Sequence, residues 1–417
     1  MVVVDWRYCI WRSGRAALSR NWLEQLVSRA RGARVAIAAA LLLLVAACSG
    51  IPGGDYFGFG SSAPPPPPPQ QGAVGAGQVK VALILPLSAP GNAGATALSM
   101  RNAAEMALAE FNNPDIQLLV KDDGGSAGGA QQAVQQALSE GAEIILGPLF
   151  AQSVSAAGQI ARQRGVPIIA FSTDAGVAAP GVHLLSFLPE SEVDRVIGYA
   201  IQQGKRSFAA LIPDNAYGTV VQAAFQQAVA RGGGRVIVME RYPLDRAQMQ
   251  GPVQRVAQGA RQFDAIFIPD GADSVSAIVQ GLSAGGVPRK QLIGTGLWED
   301  PRLSAEPGAH GGWFATPDPS GFRAFSGRYR QRYGQDPVRP ATLAYDAVSL
   351  VAALVKTQGP ARFSEETLTS QSGFAGIDGV FRFRPDGTNQ RALAVMRVTP
   401  TGGQVISPAP KALGAGG

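Results

Sequence analysis

The sequence predicts an α/β fold of two Rossmann-like lobes, and three observations carry that prediction. Strand-like and helix-like runs alternate from Val79 to Thr357, the pattern of helices packed on mostly parallel sheets. Ten or more such units over about 320 residues exceed one ordinary domain. The series is broken near residues 185 and 315 and closes in antiparallel strands, which tells against one continuous TIM barrel.

Taken in order, Val79–Leu87 reads as the first strand. Ala95–Phe111 reads as an amphipathic helix with Met100, Ala103, Ala104, Ala107 and Leu108 on one side. Ile116–Val120 is a strand that stops at Asp122-Asp123-Gly124-Gly125, and Gln131–Leu138 is a helix. Glu143–Leu146, Gln152–Arg164 and Val166–Phe171 form a strand–helix–strand unit whose turns are Gly147-Pro148 and Ser172-Thr173-Asp174. His183–Leu188 reads as a crossing strand ended by Pro189. A second series runs through helix Glu192–Gln202, strand Phe208–Ile212, helix Tyr217–Arg231 and strand Arg235–Met239. Helix Arg246–Gly259, strand Ala265–Ile268, helix Ser274–Leu282 and strand Gln291–Gly294 continue it. Gly312–Thr316 reads as a second crossing, followed by helices at Gly321–Tyr333, Pro340–Thr357 and near Ser364–Thr369. Strands Gly379–Phe383 and Ala392–Val398, separated by the hairpin-type turn Pro385-Asp386-Gly387-Thr388, close the fold.

Charge is unevenly placed. Residues 1–47 hold seven arginines against Asp5 and Glu24, a net +5 of the whole chain's +6. The remainder is nearly neutral, so the basicity belongs to a leader and a nucleic-acid partner is not expected. The leader's apolar run, Val35–Val45, is shorter than the ~20 residues that span a bilayer and suits a signal-peptide core. Val45-Ala46-Ala47-Cys48 resembles a bacterial lipobox, which implies that residues 1–47 are a lipoprotein signal peptide and that Cys48 is lipidated. Ser49 after it implies sorting to an outer membrane. With Cys9 in the leader, no thiol pair is left for a disulfide or a thiolate metal site. Residues 48–78 read as a linker: its six prolines, Pro64–Pro69, favour a semi-rigid polyproline II stalk of ~3.1 Å per residue.

Enzyme signatures are sparse. The two histidines, His183 and His310, have no partner at metal-ligand spacing. There is neither a nucleophile elbow nor a P-loop lysine, and Gly294-Thr295-Gly296 is a lone G-x-G that reads as a tight turn. What remains lies on turns at strand C-termini, the edge where open α/β sheets bind ligands. The cleft candidates are Ser153, Ser172, Thr173 and Asp174 in the first series and Tyr217, Asp270 and Trp298 in the second. Each also has a structural reading: Ser153 and Asp174 as helix caps, Tyr217 and Trp298 as core aromatics.

VALILPLSAPGNAGATALSMRNAAEMALAEFN, KDDGGSAGGAQQAV, GAEIILGPLFAQSV, GVPIIAFSTDA, PDNAYGTVVQAAFQQAV, FDAIFIPDGADS, LAYDAVSLVAAL and VFRFRPDGT occur in this order. Through them the chain from about Val79 to Val398 resembles type I periplasmic binding proteins of the leucine/isoleucine/valine-receptor superfamily. The resemblance implies three hinge crossings, near Leu188, Ala315 and Gly376. It implies lobe 1 at 79–188 plus 316–375, lobe 2 at 189–315 plus 376–404, and a disordered tail at 405–417.

In the family's amino-acid receptors, a serine and a threonine hydroxyl meet the ligand carboxylate, and a second-lobe glutamate meets its ammonium. Those positions correspond here to Ala151, Asp174 and Gly296, while Tyr217 keeps the family's ring. A carboxylate beside the expected ligand carboxylate repels it by ~1 kcal/mol in water at ~4 Å, and by more where partly buried.

Within the superfamily, LGPLFAQSV, IAFSTD, GTGLWED, GGWFATPDPS and GVFRFRPDGTNQRALAV resemble lipoproteins known as penicillin-binding protein activators, relatives of an outer-membrane regulator of a peptidoglycan synthase. The resemblance implies a non-enzymatic, lipid-anchored envelope protein, outer membrane favoured, without a cofactor, whose partner is a penicillin-binding protein. The alternative is a solute receptor serving an ABC permease, with a branched-chain amino acid, an amide or another small polar ligand.

Overall fold

The computed structural model describes residues 72–414 apart from 113, 244 and 246. The leader, Cys48 and the proline run lie outside the described residues.

Lobe 1 is built on a six-stranded sheet in the order β1-β3-β2-β4-β5-β6. Its strands are β1 (Gly72–Val74), β2 (Val79–Leu85), β3 (Ile116–Asp122), β4 (Ile144–Leu146), β5 (Ile168–Ala170) and β6 (Val182–Leu184). All pair in parallel except β1, which runs antiparallel to β3. The pleat of β2 explains the apolar run: Val81, Leu83 and Leu85 face one core, Ala82 and Ile84 the other, so both faces are buried. Helices Asn92–Glu110 and Ala341–Thr357 cover the first face; Ala127–Ser139 and Ala151–Gln163 cover the second.

Lobe 2 has seven strands in the order β16-β15-β11-β10-β9-β7-β8. They are β7 (Ser207–Pro213), β8 (Arg235–Tyr242), β9 (Ala265–Phe267), β10 (Gln291–Gly294), β11 (Trp313–Thr316), β15 (Ala394–Thr399) and β16 (Gly402–Ser407). Strand β15 runs antiparallel to β11, and β16 antiparallel to β15. Ala209 and Leu211 of β7 enter one core with Trp298 and Phe314; Phe208, Ala210 and Ile212 enter the other.

The chain crosses between lobes three times: from β6 into helix Pro189–Gln202, from β11 into helix Pro319–Tyr333, and at residues 392–393. The third crossing corrects the expected position near Gly376. Strands β12 (Phe374–Gly376), β13 (Gly379–Phe383) and β14 (Asn389–Arg391) form a separate small sheet. Its Phe381 and Phe383 are buried in a lobe 1 core, so residues 376–391 pack with lobe 1. The turn at residues 385–388 is a hairpin turn, as its sequence indicates, but it joins β13 to β14 and not to β15.

Two edges also differ from expectation. Residues 72–74, read as linker, extend the lobe 1 sheet as β1. Residues 405–407, read as tail, belong to β16.

The hinge is cross-linked by buried charge. Arg391 is 5% exposed, and its Nε donates to the Ser186 carbonyl of the first crossing at 3.0 Å. Its guanidinium lies 4.9 Å from the ring centre of Phe187 and 5.3 Å from that of Phe381. Phe187 carries a second guanidinium, Arg339, at 4.7 Å, which also stacks on Phe322 at 4.6 Å. Arg339 Nη1 is 2.7 Å from the fully buried Asp378. Asn389 Nδ2 donates to the Leu184 and Ser186 carbonyls. The alternating rings and cations hold the first and third crossings together; Arg339 is ion-paired with Asp378, whereas Arg391 relies on the Ser186 carbonyl and the two ring faces.

Candidate functional site

In each sheet the first of the parallel strands has its two successors on opposite sides: β2 lies between β3 and β4, and β7 between β8 and β9. Strands β2 and β7 therefore mark the switch points, and ligand crevices open at their C-terminal ends. Gly147, closing β4 beside β2, has φ 91°, and a Cβ there would lie 2.0 Å from the Ile84 carbonyl oxygen. Only glycine lets the two strands approach this closely at that edge.

On lobe 1, the expected hydroxyls mostly serve the fold. Ser153 is completely buried and its Oγ donates to the Ser126 carbonyl at 3.3 Å, so it is removed from the cleft candidates. Ser172 is buried, and its Oγ accepts from the Asp174 amide at 3.1 Å. Thr173 is exposed. Asp174 is exposed, and its Oδ1 caps the turn Ala175–Val177 by accepting from the Gly176 amide at 2.9 Å.

Lobe 2 gathers more chemistry. Tyr217, half-buried at the head of helix Ala216–Arg231, makes a 2.8 Å hydrogen bond between its hydroxyl and Thr295 Oγ1. Asp270 accepts from the Tyr242 hydroxyl and from the Gly271 amide, each at 2.7 Å. Trp298 does not reach the cleft. It is 1% exposed in a lobe 2 core, and its indole N–H donates to the Ile268 carbonyl at 3.0 Å. A ring that size gains more from burial with its one donor satisfied than from standing in a wet turn.

Two residues that the sequence reading passed over dominate this wall. Glu190 and Glu192 sit in the first turn of helix Pro189–Gln202, immediately after the first crossing. Glu192 Oε2 accepts from the Gly296 amide at 2.8 Å, and Oε1 lies 2.7 Å from where a Cβ on Gly296 would be. Withdrawal from water pushes the Glu192 carboxyl up to about 8; the Gly296 amide opposes this, Glu299 adds to it and Arg339 opposes it. Burial also raises Glu190, with Asp174 and Asp194 adding repulsion. Burial, followed by the charge of Glu192, pushes the Tyr217 hydroxyl up. Glu299 accepts from Thr316 Oγ1 at 2.9 Å and lies 3.9 Å from Arg339, so the second crossing also ends at this cluster. The acids of the first helical turn were legible only as partners of a helix dipole.

The wall can hold a proton on Glu192 at neutral pH and offers hydroxyl and carboxyl groups to a polar ligand. Arg339, the cation that acts on Glu192, is already paired with Asp378. Among the described residues, no group of three or more His, Cys, Asp or Glu side chains is placed to hold a metal ion.

Comparison with known proteins bears on this geometry. The family model for periplasmic binding proteins matches residues 78–404. A candidate branched-chain amino acid ABC transporter protein from Rhodospirillum rubrum superposes with a TM-score of 0.71 at 23% identity, covering 79% of this chain and 99% of that one. The LivJ substrate-binding protein of Streptococcus pneumoniae, solved with isoleucine, gives 0.56 at 19% identity over 79% and 99%. A solute-binding protein from Rhodopseudomonas palustris, solved with 3,4-dihydroxybenzoic acid, gives 0.58 at 21% over 79% and 96%. At these identities the likeness establishes the fold alone.

A curated sequence, the penicillin-binding protein activator LpoA of Pantoea ananatis, is 26% identical over 153 residues, 36% of this chain. The match spans only 22% of that relative's length. A two-lobed α/β architecture, three crossings and a family match across most of the length agree: this chain belongs to the periplasmic binding protein family.

Proposed function

We propose that this protein is a non-enzymatic, lipid-anchored regulator of the bacterial envelope that binds and stimulates a peptidoglycan synthase of the penicillin-binding class. Family membership implies a periplasmic location. The observation that carries the reading is a cleft whose orienting groups are engaged with one another. Glu192 holds the Gly296 amide, Tyr217 holds Thr295, and Asp270 holds Tyr242. On the facing lobe Ala151 supplies no hydroxyl, Ser153 is sealed, and Asp174 brings charge of the wrong sign for a ligand carboxylate. The lipobox at Cys48, the proline stalk and the stretch shared with the Pantoea ananatis activator support a partner reached across the periplasm. Pull-down with a detergent-solubilised bifunctional synthase, followed by a glycan-polymerisation assay, tests it: absence of both binding and rate change would sink it.

A second reading, a solute receptor for an ABC importer, is favoured by one specific observation. The Glu192 carboxyl stands where a side chain at position 296 would point, so an acidic group at that place is supplied from another element. A ligand bearing an amine would then draw the proton equilibrium of Glu192 toward the carboxylate. A thermal-shift screen separates the two readings, because ligand at 100 times its dissociation constant stabilises by ~2.7 kcal/mol.

A further inference from the structure

We propose that lobe 2 carries a second binding site, on the sheet edge opposite the cleft, for a small amphipathic anion: a carboxylate or phosphate on an apolar body. A cavity of about 540 Å³ opens there, within the ~300–1,000 Å³ range of small-molecule pockets. Its position follows from the strand directions. Lys205 precedes β7, Lys290 and Gln291 stand at the start of β10, and Gly311 and Gly312 precede β11. All are N-terminal ends of parallel strands, whereas the cleft lies at the C-terminal ends.

The floor is apolar, formed by Ile266, Val279, Leu282, Val287 and Leu292. The charged lining has one sign, Lys205, Arg289 and Lys290 with no Asp or Glu, and Ser283, Gln291 and His310 add polar groups. The bonds made inside the lining by Lys290, Arg289 and His310 go to carbonyls, not to carboxylates. Lys290 Nζ donates to the Phe263 carbonyl at 2.7 Å, and Arg289 Nη2 to the His310 carbonyl at 3.3 Å. His310 Nε2 is 2.8 Å from the Ser304 carbonyl. The carboxylate close to Lys205 is Asp264, whose Oδ2 is occupied by the Arg206 and Ser207 amides and the Ser207 hydroxyl. Two other cavities, of about 580 and 500 Å³, carry both signs: Glu105, Asp115 and Arg332 in one, Glu299, Asp300 and Arg323 in the other. Cationic donors in a lining that holds no carboxylate, above an apolar floor, select a ligand with a negative head and an apolar body.

Calorimetric titration of the purified full chain with 4-phenylbutyrate tests the site. Saturable binding is expected, weakened about tenfold or more by Lys205→Gln combined with Arg289→Gln and lost in Ser283→Trp, which fills the mouth. In the unaltered protein, 4-phenylbutylamine (same body, opposite charge) and acetate (same charge, no body) should each bind at least about tenfold more weakly. Leucine in excess should leave the phenylbutyrate affinity unchanged. Equal binding of the amine, equal binding of acetate, competition by leucine, no binding of phenylbutyrate, or indifference to the double substitution would each overturn the proposal. The comparisons of probes on the unaltered chain need no variant to fold.

Discussion

The carboxylate of Glu192 takes the space that a side chain on Gly296 would fill. Oε1 lies 2.7 Å from the Cβ position, and Oε2 accepts the Gly296 amide at 2.8 Å. The glycine and the glutamate are therefore one device, built from the first turn of one helix and the turn that follows β10. Its physical consequences are measurable without knowing any ligand.

Stability should fall as pH rises across the neutral range, and Glu192 should be a main cause. Its carboxyl is raised to about 8 from an ordinary 4.5, so the folded state keeps a proton that the unfolded state releases. The stabilisation from that proton is full below the unfolded value and is lost as pH rises toward 8, with a slope of up to ~1.4 kcal/mol per pH unit. Glu192→Gln keeps an acceptor for the Gly296 amide and should flatten this dependence, with the variant more stable than the parent at pH 8. Urea unfolding at pH 5, 6.5 and 8 measures it; parallel pH profiles would contradict it.

Gly296→Ala should destabilise by about 1–3 kcal/mol, because its methyl enters the space of the Glu192 carboxylate and the neighbour must shift. The cost should shrink by at least half when Glu192→Ala is already present. A double-mutant cycle in chemical denaturation reads the coupling, and strict additivity would show that the two residues do not share this space.

Arg391→Met should cost about 1.5–3 kcal/mol, the range for losing a hydrogen bond to a charged group, here the one to the Ser186 carbonyl. Asp346 is pushed up to about 7, first by burial, while the Arg391 charge holds it down. Removing that cation raises Asp346 further, so the loss should be larger at pH 8 than at pH 5.5. Thermal unfolding at both pH values checks the sign.

Much of the fold was legible because a parallel strand buried on both faces must be a continuous apolar run, as β2 and β7 are. The small-sheet boundary was not. Phe381 and Phe383 alternate as any half-buried strand would, and only the lobe 1 core they enter distinguishes their side of the hinge. Edge strands β1 (GAV) and β16 (GGQVIS) contain glycine and are largely unburied, and their pairing partners supply the signal that their own residues lack.

The cleft was legible as an edge, through its turn residues, but not as a set of side chains. A tryptophan after a strand looks the same whether it faces a ligand or, like Trp298, reaches a carbonyl thirty residues away in sequence. Glu190 and Glu192 read as ordinary acids of a first helical turn, since nothing local marks their withdrawal from water.

Action on a synthase and action on a solute, the two proposed roles, separate in one assay. The most direct measurement is the rate of glycan polymerisation by a purified bifunctional penicillin-binding protein, with and without the full chain. A regulator of the synthase should give a rise in rate that saturates with added chain, and a complex recovered by pull-down at the same concentrations. An unchanged rate with no complex, together with a thermal shift on adding leucine, would contradict that role.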